Sequence, residues 1–302
     1  GEEADAQVHE VRARLVARGV EVLLWNAGIC PGEQDRTIAF SPGDVFTGPA
    51  AVDGLPGCVW VRALGRTARS SAQYEDALRE RPYSLLEQLR ERRSLVISML
   101  RMLEDRGVPI VNPTAALGVA ELLPWQLDRL RAAGVPTLAT LVTNDPLAAR
   151  AFVERRGAVT HRPLTGGADV RKLSEGSCGD ATLEQLSRAP EMLQEHVAGA
   201  LVRLYVLAGE VVAAGRVGRE DDGARGHDVE RLDAPPRELV DVATRATACL
   251  GLVFAGVDVI VGDERLAVVE VNPAPTFAWF DTLAGAEVAE LLARYLAARA
   301  RD

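Results

Sequence analysis

The chain has 302 residues, 48 % hydrophobic, 25 % charged and 5 % aromatic, enough for one large or two ordinary domains and unlike a collagen, a disordered tail or a disulfide scaffold. Its 43 acidic and 34 basic residues leave a net charge of −9, which argues against a broad footprint for nucleic acid or an anionic bilayer. Cys30, Cys58, Cys178 and Cys249 stand far apart with no C-x-x-C. They read as reduced structural thiols, and with an acidic first segment and no run of about 18 apolar residues a cytoplasmic protein is expected.

Residues 3–18 place Val8, Val11 and Leu15 on one helical face, and residues 21–25 after Gly19 read as a strand. A strand would ordinarily precede that helix in a parallel α/β unit; none does, so the sequence is expected to start part-way into the unit. Residues 58–61 form a short apolar run. A long helix over 83–104 follows, carrying Leu86, Leu89, Val96, Met99 and Leu103, and a strand at 109–112 closes a first domain, 1–112. The pattern from 113 to 134 is helical until Gly134, Val135 and Pro136 stop it, and a strand at 138–142 and a helix at 145–156 come next. The second domain, 113–193, continues with a strand at 158–162, a tight glycine-bearing loop at 165–168, a strand at 170–173 and a strand beginning at 192. In the third domain, 194–302, residues 201–207 and 211–217 form a hairpin around Ala208, Gly209 and Glu210. Helices at 237–250 and 286–298 bracket a second hairpin.

That second hairpin carries the chemistry. If its turn is the three residues Gly262, Asp263 and Glu264, then Val261 faces Arg265 and Asp258 lies opposite Val268. Alternation then puts Asp258, Glu270 and Asn272 on one face, with Asp258 and Glu270 as diagonal neighbours. A loop one residue longer or shorter breaks the arrangement. Two carboxylates and an amide oxygen on otherwise apolar strands suit a hard cation such as Mg²⁺, which shares oxygen ligands with phosphates; the alternative is a solvated face.

The segments Gly256-Val257-Asp258-Val259-Ile260 and Val269-Glu270-Val271-Asn272-Pro273 resemble the metal-binding end of the ATP-grasp superfamily, in its RimK-like carboxylate-amine ligase branch. Leu193-Gln194-Glu195-His196-Val197 is similar to the hinge of that fold. Residues 201–206 and 211–216 resemble the strand pair after it. A narrower resemblance, to the graspetide (microviridin-type) ligases that modify ribosomally made peptides, comes from Gln126-Leu127, Gly134-Val135-Pro136 and residues 140–146. Asn144-Asp145-Pro146 reads equally well as a helix N-cap with proline in the first turn.

The resemblance implies an α/β (α+β) fold in three lobes, with ATP and Mg²⁺ in a cleft between the central and C-terminal lobes. It further implies an acyl phosphate made on a peptide or amino-acid carboxylate and displaced by an amine or hydroxyl. Asp258, Glu270 and Asn272 would hold metal, Gln194, Glu195 and Val197 the adenine, and Arg203 and Arg216 the phosphoryl group and developing oxyanion. A homodimer is expected only by analogy, and no nucleic-acid or membrane partner is expected.

Three positions depart from the family pattern. Leu123 and Arg162 stand where lysines are usual, and Leu201 where an aspartate precedes the arginine; Lys172 is the one lysine in the chain. Arginine can grip phosphate by a fork and leucine cannot donate at all, which leaves Arg162 and Lys172 as the cofactor-binding cations, Lys172 reading also as a solvated charge. His161, His9 and His227 read as exposed or satisfied, His196 as turned out of the site, and Trp279 and Phe280 as core. The expected activity is an ATP-dependent ligase. A degenerate relative serving as a peptide- or nucleotide-binding scaffold is the alternative, and a dinucleotide oxidoreductase is disfavoured because no G-x-G-x-x-G follows a strand in this chain.

Overall fold

The structure is a computed structural model that describes residues 5–25, 55–62, 64, 79–164, 171–173, 189–219, 225–262 and 265–300. Its internal contacts gather the chain into two compact units, one formed by residues 1–114, 276–278 and 287–302, the other by 115–275 and 279–286.

In the first unit, helix α1 (Ala6–Ala17) begins at Asp5, whose carboxylate accepts the Gln7 N–H at 2.8 Å, the usual N-cap device. Val8, Val11 and Leu15 are its buried face, as their spacing predicts, and they pack with the C-terminal helix Val288–Arg299, which buries Leu292 and Leu296. Strand β1 (Val59–Trp60) is joined through helix α2 (Pro82–Asp105) to the parallel strand β2 (Ile110–Val111). No strand forms at 21–25: a strand exists only where a neighbour completes its ladder, and none does so among the described residues.

The second unit holds two antiparallel sheets. After helix α3 (Leu123–Ala132) come strand β3 (Thr140–Thr143), helix α4 (Pro146–Arg156), and strands β4 (Val159–Pro163), β5 (Arg171–Leu173) and β6 (Glu191–Glu195), which assemble in the order β3-β6-β4-β5. Asp145 caps α4, accepting the Leu147 N–H at 2.9 Å, so the capping reading of 144–146 is realised. Ala149, Phe152 and Val153 of α4 cover Val159 and Leu193 of the sheet. Strands β7 (Ala200–Leu207), β8 (Glu210–Arg219) and β9 (Arg225–Arg231), helix α5 (Arg237–Cys249), and strands β10 (Phe254–Val261) and β11 (Leu266–Asn272) follow, the sheet order being β11-β10-β7-β8-β9. Strand β9 has no apolar alternation, and pairing with β8 alone makes it a strand. Leu239, Val242, Ala243 and Ala246 form the apolar stripe of α5 in one core with Val202, Leu204 and Val206 of β7 and Val257 and Val259 of β10. The opposite face of β7 and β10 is left for Arg203, Tyr205, Gly256 and Asp258. Phe280 is fully buried edge-on to Tyr205 at 5.0 Å, which is the core role expected for it.

The expected boundary at 193/194 falls inside this unit, and the C-terminal helix packs in the other. Among the described residues no helix is long and apolar enough to cross a membrane.

Candidate functional site

Strand pairing first decides which side chains can meet. Val261 pairs with Leu266, so the loop between β10 and β11 is one residue longer than the expected turn. Uncorrected, this would turn Glu270 onto the face away from Asp258. A bulge corrects it: Val259 pairs with Val268 but Asp258 pairs with Glu270, which leaves Val269 as one extra residue on β11. The two carboxylates therefore stand directly opposite each other rather than diagonally, with Asn272 on the same face. Gln126 of α3 locks this stretch, donating to the Val271 carbonyl at 3.0 Å and accepting the Val271 N–H at 3.2 Å. It does for the edge of β11 what a further strand would do. Among the described residues no three His, Cys, Asp or Glu side chains converge; the candidate metal set is two carboxylates and an amide.

Both carboxylates face arginines. Arg203 is 1 % exposed and meets Asp258 in a bidentate fork, Nε to Oδ1 at 2.6 Å and Nη2 to Oδ2 at 2.5 Å. Burial works against its charge, but Asp258, seconded by Tyr205, holds its pKa above the ordinary arginine value. Arg162 on β4 donates from Nη1 to Glu270 Oε2 at 3.0 Å and from Nη2 to the Val269 carbonyl at 3.3 Å. Arg162 Nε and Arg203 Nη1 are buried without a hydrogen-bond partner among the described residues. Buried guanidinium N–H groups left over in this way call for an anionic oxygen. The donor set thus fits a phosphate-bound divalent cation: hard oxygen ligands on one strand pair, spare cationic donors beside them.

Next to this cluster lies an open cleft lined by Leu138, Thr160, Arg162, Gln194, Glu195, His196, Val197, Ile260 and Val269. All three hinge residues expected around adenine, Gln194, Glu195 and Val197, are on its wall. His196, expected to turn away, is there too, because the strand ends at Glu195 and strict alternation ends with it. Burial would raise the Glu195 pKa, but the Ala139 N–H at 2.9 Å, Arg265 at 3.1 Å and Arg156 at 3.6 Å hold it below the usual carboxylate value. Thr160, Leu138, Ile260 and Val269 carried no chemical signal of their own, being apolar or small residues at ordinary core positions.

Other expected residues are placed differently. Arg216 pairs across the strands with Val202 and therefore faces the side opposite Arg203; it is exposed and bonded to Glu230 at 3.2 Å. Period-two alternation separates the two arginines by a face, so the structure does not bring them together as the resemblance implied. Lys172 has its backbone opposite Thr160, while its side chain, the glycine loop at 165–168, Cys30 and Cys178 lie outside the described residues. Leu123 is 3 % exposed, within the core that α5 covers. His161 is satisfied by Glu191 at 2.7 Å.

Comparison with known proteins points to one family. The family described as the RimK-like ATP-grasp domain matches residues 134–296. A probable alpha-L-glutamate ligase of Mannheimia succiniciproducens is 29 % identical over 212 residues, 66 % of this chain and 71 % of that protein. One of Histophilus somni is 29 % identical over 195 residues, 63 % of this chain and 58 % of its own length. Among solved structures, the ATP-grasp ligase PsnB complexed with a phosphomimetic variant of its minimal precursor, Mg and ADP superposes with a TM-score of 0.89 at 28 % identity, covering 99 % of this chain and 97 % of that one. PsnB with its minimal precursor gives 0.84 at 30 %, with the same coverage. The macrocyclase MdnC from Microcystis aeruginosa, bound with its precursor peptide MdnA, shares the fold at a TM-score of 0.75 and 18 % identity, covering 98 % and 96 %.

Proposed function

The chain belongs to the RimK-like ATP-grasp family, and on that premise we propose that it is an ATP- and Mg²⁺-dependent ligase acting on a peptide carboxylate. The observation that carries this reading is the Asp258–Glu270 pair with Asn272 on the same face, flanked by two buried arginines and opening on the hinge-lined cleft. Asp258, Glu270 and Asn272 are assigned to the metal, the hinge stretch 194–197 to the adenine, and Arg162 and Arg203 to phosphoryl oxygens. The metal would neutralise phosphate charge as the substrate carboxylate is converted to an acyl phosphate. An amine or hydroxyl then displaces phosphate through a tetrahedral intermediate, whose oxyanion needs a fixed cation. The spare Nη1 of Arg203 supplies one, already oriented by Asp258. Arg216 is left out of this assignment.

Relatives bound to precursor peptides support a peptide substrate, and relatives named glutamate ligases support an amine as nucleophile. The central lobe, 113–193, and the C-terminal lobe, 194–302, are proposed to share the nucleotide between them, in a cytoplasmic protein.

The test is calorimetric titration with ATP and Mg²⁺ of the wild-type chain, Glu270→Ala and Asn272→Ala, followed by assay of peptide-dependent ADP release. Metal-dependent binding that both substitutions abolish, with folding intact, is the expected result. Binding unchanged in both variants overturns the metal assignment. Nucleotide bound but never turned over would favour the scaffold reading, for which the burial of Leu123 and the engagement of both arginines with carboxylates are the specific observations.

A further inference from the structure

Arg162 does more in the structure than wait for phosphate. Its two terminal nitrogens hold the Val269 carbonyl and the Glu270 carboxylate, and Val269 is the extra residue of the bulge that turns Glu270 toward Asp258. One guanidinium therefore grips both the kink and the carboxylate that the kink aims. A bulge leaves backbone groups without ladder partners, and here the fork of an arginine takes up the freed carbonyl. Lysine, a single point of charge, cannot span a carbonyl and a carboxylate in one plane. Meanwhile Asp258 is already matched by Arg203. Each carboxylate of the pair thus faces its own cation, and together they offer little net negative field to a free metal ion.

We propose that Arg162 is a positioning residue that substitutes for the metal at Glu270 in the nucleotide-free protein, and that Glu270 becomes open to a divalent cation only after a phosphate has drawn Arg162 away. This rests on the reading of Asp258, Glu270 and Asn272 as metal ligands. The exchange is favourable because phosphate oxygens accept from guanidinium more strongly than a peptide carbonyl does, and Arg162 lines the cleft with its buried Nε unpartnered among the described residues. In the nucleotide-free protein Arg162 masks Glu270, and the apparent metal affinity falls by the fraction of time that Glu270 is free.

The experiment titrates Mn²⁺ into the full chain without nucleotide and reads bound metal by electron paramagnetic resonance. Binding to wild-type protein should be weak, and Arg162→Gln should tighten it by about tenfold or more. That gain should vanish in Arg162→Gln combined with Glu270→Gln. Arg162→Lys, which keeps the charge but loses the fork, should show an intermediate gain, and it decides the matter should Arg162→Gln fail to fold. Equal Mn²⁺ affinity in wild type and variants overturns the inference, provided wild type binds Mn²⁺ together with ADP. Absence of Mn²⁺–ADP binding in wild type would instead overturn the metal-site reading itself, and the inference with it.

Discussion

Arg203 and Asp258 show how a single pair constrains experiments on this site. Both are almost fully buried, and removing one partner strands the other charge in a medium that solvates it poorly. Asp258→Ala should therefore cost about 3–5 kcal/mol, seen as a lower denaturant midpoint, so loss of activity in that variant would say little about metal binding. Glu270, on a half-buried edge, is the cleaner probe. Glu195 gives a pH signature. Its folded pKa is depressed, so its contribution to stability is complete above the ordinary value of 4.5 and is lost as the pH falls through the lower folded value. The stability gap between wild type and Glu195→Gln should accordingly narrow on acidification below pH 4.5, as urea titrations at several pH values would reveal. Cys58 behaves in the opposite sense, since burial pushes its thiol up to about 11 while Val59 and Arg299 only partly offset the effect. Peptide mapping after alkylation at mildly alkaline pH should find Cys58 slower than a free thiol, because little of it is thiolate there.

At the scale of elements, the decisive contact is between helix α3 and strand β11. Gln126 is 1 % exposed, and its amide completes both backbone groups of Val271, the residue between Glu270 and Asn272. Replacing it by alanine leaves a buried N–H and a buried carbonyl unmatched, at about 1–3 kcal/mol each. Gln126→Ala should thus lose about 2–6 kcal/mol in chemical denaturation, and should weaken metal-dependent nucleotide binding although Gln126 touches neither metal nor nucleotide in this assignment. A variant that kept full affinity would show that β11 holds its shape without α3. The Val268 N–H is secured by the Pro136 carbonyl at 2.8 Å, so the segment containing Gly134 and Pro136 supports the same edge. Those residues stop α3, and they also continue the chain alongside the strand that carries the site.

For the whole molecule, binding and stability are linked. A ligand that binds only the folded state at about one hundred times its dissociation constant adds about 2.7 kcal/mol. Mg-ADP in that excess should raise the unfolding temperature of the wild-type chain, and Glu270→Ala should lose the shift. The first unit offers an independent check on folding, because its N-terminal helix and its C-terminal helix, at opposite ends of the sequence, bury their apolar stripes together. Leu292, fully buried there, should cost about 2–5 kcal/mol when cut to alanine, read by denaturation.

The sequence by itself determined most of the helices and strands, though not the short helix Ala278–Ala284, because apolar spacing of period 3.6 or two is a local property that survives without knowledge of the partner. It also supplied the chemistry of the candidate site: carboxylates at Asp258 and Glu270, an amide at Asn272, and arginine rather than lysine at position 162. Only the tertiary structure decided how these meet. The longer loop and the bulge at Val269 each shift the register by one, and alone either would have turned Glu270 away; their sum restores the shared face, and nothing in the residue types announces that compensation. The same alternation separated Arg216 from Arg203, since the face of a strand residue is fixed by its cross-strand partner. Residues 21–25 and strand β9 are governed by this cause as well: whether a stretch becomes a strand depends on a hydrogen-bonding neighbour, which is a long-range fact that local spacing does not contain.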